Sequence, residues 1–365
     1  MQIQNDTEGM TLALEWAARA MTSTAPNPRV GCVIVRDGVV IGAGHTQPPG
    51  QAHAEIEALR DAAARGADVR GATAYVTLEP CNHFGRTPPC SHALVRAGLG
   101  RVVAAIEDPN PLVAGQGMAT LAAAGIDTRI GVLAHEAYEL NIGFFSRMRR
   151  GLPWVRMKTA ASLDGGTALH NGVSQWITGP EARADGHAWR ARAGVILTGI
   201  GTVKSDDPQL TVRAADSVRQ PQRVIVDSRL DISLNARILV GAPCTIVAAQ
   251  PDVARAGALR DAGHEVLLLP NPDGKVDLPA LMRELGRREI NEVHVEAGSK
   301  LNGSLIREGC VDELLVYLAP CLLGTAQGMF SLGPYDDLAQ RQQMVFHQVQ
   351  QIGADVRILA RLSAN

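Results

Sequence analysis

Aromatic residues are scarce in this 365-residue chain, at 4%, too few for the stacking platforms on which single-stranded nucleic acid lies. Net charge is scarce too: 35 Lys and Arg stand against 37 Asp and Glu, a formal −2. That excludes a basic footprint for nucleic acid or an anionic membrane across the chain as a whole, though not a local phosphate pocket. No run approaches ~18 consecutive apolar residues, so no transmembrane helix is expected. The polar stretch Met1-Gln2-Ile3-Gln4-Asn5-Asp6 lacks an apolar core, so no secretory signal is expected either. Only six cysteines occur, and in a long chain without a signal they do not read as a disulfide framework. Cys32, Cys244, Cys310 and Cys321, with apolar neighbours or behind a helical run, are expected as buried thiols. The expected location is cytoplasmic and reducing, with no nucleic-acid and no membrane partner.

What is present suits a globular enzyme. Apolar residues make up 46% and charged residues 20%, over a length sufficient for two domains with a core each. Met10, Leu14, Ala17, Ala18 and Met21 share one face of a helix over 7–22, which Pro26 and Pro28 break. Strands follow at 30–35 and 39–41 across an Asp37-Gly38 hairpin signal. A helix from 54, a strand at 74–78, a helix at 91–97, a strand at 101–106 and a helix at 118–124 complete a three-layer α/β domain. The basic, glycine-ended stretch 144–151 marks the boundary, giving domains 1–147 and 148–365. The second is another α/β unit, with strands near 195–199, 223–227, 245–249, 265–269, 292–296, 314–319 and 355–361. Its helices are predicted at 180–192, 252–262, 278–288 and 301–307.

The densest chemistry lies between His53 and Cys90. His53 and Glu55 open a helix, Cys81 follows a strand, and Cys90 precedes the next helix. One imidazole and two thiols can hold Zn²⁺ tetrahedrally and leave the fourth position free, which is the catalytic arrangement. Zinc lowers the pKa of a bound water to about 7, and free N–H groups at a helix start favour the thiolate form of its ligands. Glu55, outside the ligand set, is placed to move protons between the water and a leaving amine. Eight residues separate Cys81 from Cys90, and on that loop His83 and Arg86 suit the polar rim or the phosphate of a substrate. The alternative, a structural zinc site, needs a fourth ligand from His83 or His92. In the second domain, backbone N–H groups of Gly298, Ser299 and Gly303 can cradle a pyrophosphate at a helix start. Thr198-Gly199-Ile200-Gly201-Thr202 is a weaker second candidate, with Lys204 where a dinucleotide fingerprint has its last glycine.

Five segments of the first domain resemble one family in order: Pro26-Asn27-Pro28-Arg29-Val30-Gly31-Cys32, His53-Ala54-Glu55, Leu78-Glu79-Pro80-Cys81, Gly85-Arg86-Thr87-Pro88-Pro89-Cys90 and Asp108-Pro109-Asn110-Pro111. The second domain adds the stretches 158–165, 174–178, 206–213 and 295–298. The chain thus resembles the RibD family of bifunctional riboflavin biosynthesis enzymes over nearly its whole length. The resemblance implies a cytidine-deaminase-like first domain and a dihydrofolate-reductase-like second one, using Zn²⁺ and NADPH. It implies hydrolytic deamination of 2,5-diamino-6-ribosylamino-4(3H)-pyrimidinone 5′-phosphate. Reduction of the ribosyl group then gives 5-amino-6-(5-phospho-D-ribitylamino)uracil.

By the same resemblance Asn27, His83, Arg86 and Thr87 hold the deaminase substrate. NADPH lies on Ala160, Trp176, Thr202, Asp206, Ser228 and the loop Gly298, Ser299, Lys300, Leu301, Asn302, Gly303 and Ser304. The reductase substrate lies on Lys158, Ser174, Arg190, Leu210, Arg213 and Glu296. Arg190 and Arg213 suit a phosphate because a guanidinium fork matches its oxygens. Gly166 departs from the pattern, where a long or basic side chain is expected. A homo-oligomer is implied. The competing reading is a deaminase of other nucleosides or nucleotides with an unrelated C-terminal domain, and a third is a zinc-stabilised module without catalysis.

Overall fold

A computed structural model describes residues 2–82, 89–110, 114–213 and 219–362. The chain divides into two compact units, residues 1–151 and 152–365. The boundary expected after residue 147 falls inside the last helix of the first unit, which continues to Arg150.

Along the first unit run α1 (Asp6–Ala18), β1 (Gly31–Arg36), β2 (Val39–His45), α2 (Ala54–Ala64), β3 (Thr73–Val76) and α3 (Cys90–Ala97). They are followed by β4 (Arg101–Ala104), α4 (Gln116–Ala123), β5 (Asp127–Ile130), α5 (Ala134–Leu140) and α6 (Ile142–Arg150). The sheet order is β2-β1-β3-β4-β5, antiparallel through β3 and parallel beyond it. Alternation along β1 sets the layering. Cys32 and Ile34 face a core with Ala54 and Ala58 of α2, Leu94 of α3 and Leu121 of α4. Val33 and Val35 face the other, with Met10 and Ala13 of α1 and Ala137 of α5. Three layers follow from that two-residue period. The hairpin turn has Asp37 at φ 52° and Gly38 at φ 76°, the left-handed pair that a two-residue turn needs. At α1 the Asn5 side chain accepts the Glu8 N–H, and the Glu8 carboxylate accepts the Gln4 N–H, so the first turn is capped from both sides.

The second unit begins with β6 (Trp154–Ser162), β7 (Gly166–Leu169), α7 (Pro180–Arg192), β8 (Val195–Gly199), α8 (Ile200–Asp206) and β9 (Gln222–Val226). Next come β10 (Cys244–Ala248), α9 (Val253–Asp261), β11 (Glu265–Leu268), α10 (Leu278–Arg287), β12 (Glu292–Val295) and α11 (Ser299–Arg307). It ends with β13 (Glu313–Ala319), β14 (Ala326–Gly328), β15 (Met344–Ile352) and β16 (Asp355–Leu362). Its main sheet has the order β11-β10-β9-β8-β12-β6-β13-β16-β15. All pairings from β11 to β13 are parallel, and β16 and β15 add antiparallel strands at one edge. Ile196, Ile225 and Ile246 pack with α9 on one face. Val195, Leu197 and Val224 pack with α10 and α11 on the other. In α10 the buried Leu278, Leu281, Met282 and Leu285 follow the 3.6-residue period, each worth roughly 1.5–3 kcal/mol of burial.

Three expectations need correction. Cys321 is exposed, whereas Cys32, Cys244 and Cys310 are buried as expected. Strand β15 has no counterpart in the sequence reading: almost every residue of it is exposed, and a bulge between Phe346 and Gln348 removes the alternation that would have marked it. Residues 200–202, read only as the end of a second phosphate-binding candidate, begin the helix α8, which runs on to Asp206.

Candidate active sites

His53 is the residue before α2, in extended conformation at φ −79° and ψ 167°, so its ring leaves the helix axis. Glu55, two residues on, is inside the helix and buried. This kink at the helix start answers how a His and a Glu at a two-residue spacing can serve one site. Cys90 is the first residue of α3, and its backbone N–H donates to Sγ of Cys81 at 3.4 Å. Nδ1 of His53 lies 3.6 Å from Sγ of Cys81 and 3.4 Å from Sγ of Cys90. A tetrahedral centre with Zn–S of about 2.3 Å and Zn–N of about 2.0 Å sets N and S about 3.5 Å apart. The three side chains therefore fit zinc in spacing and in donor chemistry. Among the described residues the cluster contains only these three. His92 is not part of it, and the other fourth-ligand candidate, His83, lies outside the described residues.

Charge is arranged to match. Hydrogen bonding with Cys90 outweighs burial and, with His53, brings the Cys81 thiol down to about 4. The same contact drives Cys90 upward, so the metal-free pair retains a proton that metal binding displaces. Burial, then the Cys81 thiolate, pushes Glu55 up to about 7.

Asn27 sits half-buried in the proline turn, its N–H donating to the Thr24 carbonyl at 2.8 Å. The buried Arg29 fixes that turn by donating to the carbonyls of Met21 and Leu140. His83, Arg86 and Thr87 lie outside the described residues. Glu57 is half-buried and pairs with Arg60 on the helix surface.

One residue that organises this site was not read from the sequence. The buried Glu79 carboxylate accepts four backbone N–H groups: Gly117 at 2.8 Å and Met118 at 3.2 Å on Oε1, Gly115 at 2.9 Å and Asp108 at 3.2 Å on Oε2. It ties the first turn of α4 to the strand end that delivers Pro80 and Cys81. A carboxylate at a helix N-terminus is well placed for this. Gly117 is required there, since a Cβ would lie 2.0 Å from the Pro80 carbonyl oxygen.

In the second unit a cleft of about 1180 Å³ opens at the carboxyl ends of β6, β8, β9 and β12, the usual ligand position on a parallel sheet. Lys158, Ala160, Ser174, Trp176, Arg190, Thr202, Asp206, Leu210, Arg213, Ser228 and Glu296 line it, as do Gly298, Ser299, Lys300, Leu301, Asn302 and Ser304. Trp176 is 71% exposed and so is not a core side chain. Gly303 is the exception: a Cβ there would lie 2.0 Å from the Ser331 carbonyl oxygen, so it serves close packing of α11 and does not line the cleft. The helix starts of α8 and α11, with Gly199 and Gly298 as their preceding residues, both open onto the cleft.

Its polar floor is an ion cluster. Arg190 grips the Glu296 carboxylate with both fork nitrogens, Lys158 Nζ lies 4.0 Å away, and His294 Nε2 lies 3.3 Å away. Burial opposes ionisation of Glu296, but Arg190 wins and holds it well below the ordinary range. Burial, aided by Arg190, lowers Lys158. The Arg190 fork is thus already occupied, whereas Arg213 is exposed and, among the described residues, its guanidinium bonds Thr211 and Gln209. Gly166 is explained by packing: a Cβ there would meet Ala326 Cβ at 2.7 Å and Ser162 Oγ at 3.1 Å, so this chain has no room for a side chain at that position.

Two family models match: the RibD C-terminal domain over residues 153–358 and the cytidine and deoxycytidylate deaminase zinc-binding region over residues 3–106. The riboflavin biosynthesis protein RibD of Escherichia coli strain K12 is 44% identical over 366 residues, covering 95% of this chain and 96% of that protein. The Haemophilus influenzae RibD is 43% identical over 368 residues, covering 96% and 95%. Among solved structures, Acinetobacter baumannii RibD superposes with a TM-score of 0.89 at 42% identity, covering 98% of this chain and 99% of that one. A Thermotoga maritima diaminohydroxyphosphoribosylaminopyrimidine deaminase/5-amino-6-(5-phosphoribosylamino)uracil reductase gives 0.88 at 31% identity with the same coverage. The match over 153–358 disfavours an unrelated C-terminal domain. With both units accounted for and the likeness extending over almost the full length, the chain belongs to the RibD family of riboflavin biosynthesis proteins.

Proposed function

We propose that His53, Cys81, Cys90 and Glu55 carry the deaminase step of this bifunctional enzyme, and that the cleft of the second unit carries its NADPH-dependent reduction. The single observation behind the first assignment is the trio of ligand atoms at tetrahedral zinc spacing beside a buried carboxylate. The substrate is 2,5-diamino-6-ribosylamino-4(3H)-pyrimidinone 5′-phosphate, hydrolysed at C2 with release of ammonia. Zinc, when bound, supplies the Lewis acid that makes water a nucleophile near neutral pH. Glu55 accepts the proton that water gives up and delivers it to the departing amino nitrogen. Asn27, His83, Arg86 and Thr87 hold the substrate, with the Arg86 fork suited to the phosphate.

In the second unit NADPH, when bound, supplies the hydride that turns the ribosyl group into ribityl. Trp176, Ala160, Thr202, Asp206, Ser228 and the 298–304 loop position the cofactor, through the two helix starts that face the cleft. Ser174, Leu210, Lys158, Arg190, Glu296 and Arg213 position the sugar phosphate. Arg190 acts by fixing Glu296, and the exposed Arg213 presents its guanidinium to the phosphate. A cytoplasmic location suits two ligand thiols that must stay reduced. Association into a homo-oligomer is supported by the edge strand β15, which exposes Val345, Phe346 and Val349. Incubation with the diaminopyrimidine phosphate, following ammonia and NADPH absorbance with and without a zinc chelator, tests the assignment. Chelation should stop ammonia release and spare NADPH oxidation on the deaminated intermediate; ammonia release that survives full zinc removal would overturn it.

A further inference from the structure

The segment Gln209–Arg213 carries two of the residues assigned to the sugar phosphate, Leu210 and Arg213, and has no helix or strand of its own. It nevertheless has a defined course. Leu210 is buried at φ 50°, a left-handed conformation that a bulky residue keeps only when its surroundings enforce it. Leu210 packs in the core with Val203 and Ile225, and the residues after it are held by side chains of which two, Gln220 and His187, lie outside the cleft lining. The Gln220 amide pairs with Val212 in both directions: Val212 N–H donates to Oε1 at 2.8 Å, and Nε2 donates to the Val212 carbonyl at 3.0 Å. Val212 is itself buried, so its two backbone groups have these bonds in place of water. From α7, Nδ1 of His187 accepts the Arg213 N–H at 3.4 Å, and Arg190 donates to the Thr211 carbonyl at 3.4 Å. Burial, with Arg190 and Arg213 nearby, pushes His187 down to about 4, so its Nδ1 stays an acceptor at neutral pH.

We infer that Gln220 and His187 are positioning residues of the reductase, which act on the sugar phosphate through the backbone of Val212 and Arg213. The inference rests on the reading that Arg213 holds the phosphate. A free loop end would let the guanidinium sweep a wide volume, at an ordering cost on every binding event. The amide pair and the imidazole remove that freedom before the substrate arrives. Gln220 is exposed overall and lies outside the cleft lining, and its side chain supplies what a β-ladder neighbour would supply in a sheet.

The test uses the full-length zinc-loaded enzyme and steady-state reduction of the deaminated intermediate. Gln220→Ala should raise KM for that substrate on the order of tenfold, by removing the partners of two buried backbone groups. The kcat, the KM for NADPH and ammonia release should stay within about twofold. His187→Ala should shift the same parameter in the same direction. Gln220→Glu, which keeps the acceptor for the Val212 N–H but not the donor for its carbonyl, should fall between wild type and Gln220→Ala. In an Arg213→Ala background the Gln220→Ala effect should vanish, because the guanidinium it positions is gone. An unchanged KM in Gln220→Ala, or an equal effect with and without Arg213, overturns the inference alone. If Arg213→Ala itself leaves KM unchanged, the phosphate reading fails, and the inference with it.

Discussion

Replacing Glu79 with Gln tests whether a buried carboxylate, and not the metal alone, holds the deaminase site together. Four backbone N–H groups converge on its two oxygens at 2.8–3.2 Å. The amide keeps the shape but has one oxygen, so two of the four donors would face an NH₂ group. Hydrogen bonds to a charged group contribute roughly 1.5–3 kcal/mol each, and losing two costs about 3 kcal/mol at the low end. For a unit of this size about 1 kcal/mol corresponds to roughly 2–4 °C. The zinc-bearing unit should therefore unfold about 6–12 °C lower, a range obtained by scaling those two estimates. Zinc release on heating, read with a chromophoric chelator, reports that unit because Cys81 is two residues from Glu79. NADPH oxidation on the deaminated intermediate, measured below the transition, is the control and should be unchanged. A release midpoint within about 2 °C of wild type would refute the reasoning, since even one lost charged bond exceeds that.

Glu55→Gln should retain zinc and lose ammonia release by at least about 100-fold, the usual contribution of a positioned proton carrier. Reduction of the deaminated intermediate should be unaffected, and a fall in both activities together would contradict separate sites. Cys81→Ser should lower the zinc content of the purified protein, measured by metal analysis; full retention would remove Cys81 from the ligand set. Asp206→Ala, at the end of α8 on the cleft wall, should raise KM for NADPH on the order of tenfold. Ammonia release is the internal reference for that variant.

How much of this was legible in the sequence depends on the range over which each residue acts. The layers could be read because β1 alternates between two cores and α10 repeats its apolar residues every three or four positions; such patterns need no knowledge of the partner. The candidate zinc ligands drew notice in the sequence because each sits at an element boundary, where a proline or a change of period marks the chain, and the structure brings their ligand atoms together. The cofactor and substrate residues of the second unit owe their assignment to family resemblance, and the structure gathers all of those into one cleft except Gly303. Glu79 was missed for the opposite reason. Its partners at Asp108 and at the start of α4 lie some thirty to forty residues away in sequence, and nothing in Leu78-Glu79-Pro80 signals a carboxylate turned inward.

Gly166 shows the same limit from the other side. As a sequence feature it is a missing side chain that weakens an expected contact; in the fold it is the space that Ala326 occupies. The β7–β14 pair shifts register beside it, with Gly328 opposite Gly166, so the absence belongs to how two short strands meet and not to how a ligand is held. The same logic applies to Arg190, whose charge suggests a phosphate ligand until Glu296 is found in its fork. A residue type fixes what chemistry is available, but whether that chemistry reaches a ligand is decided by the neighbour that reaches it first.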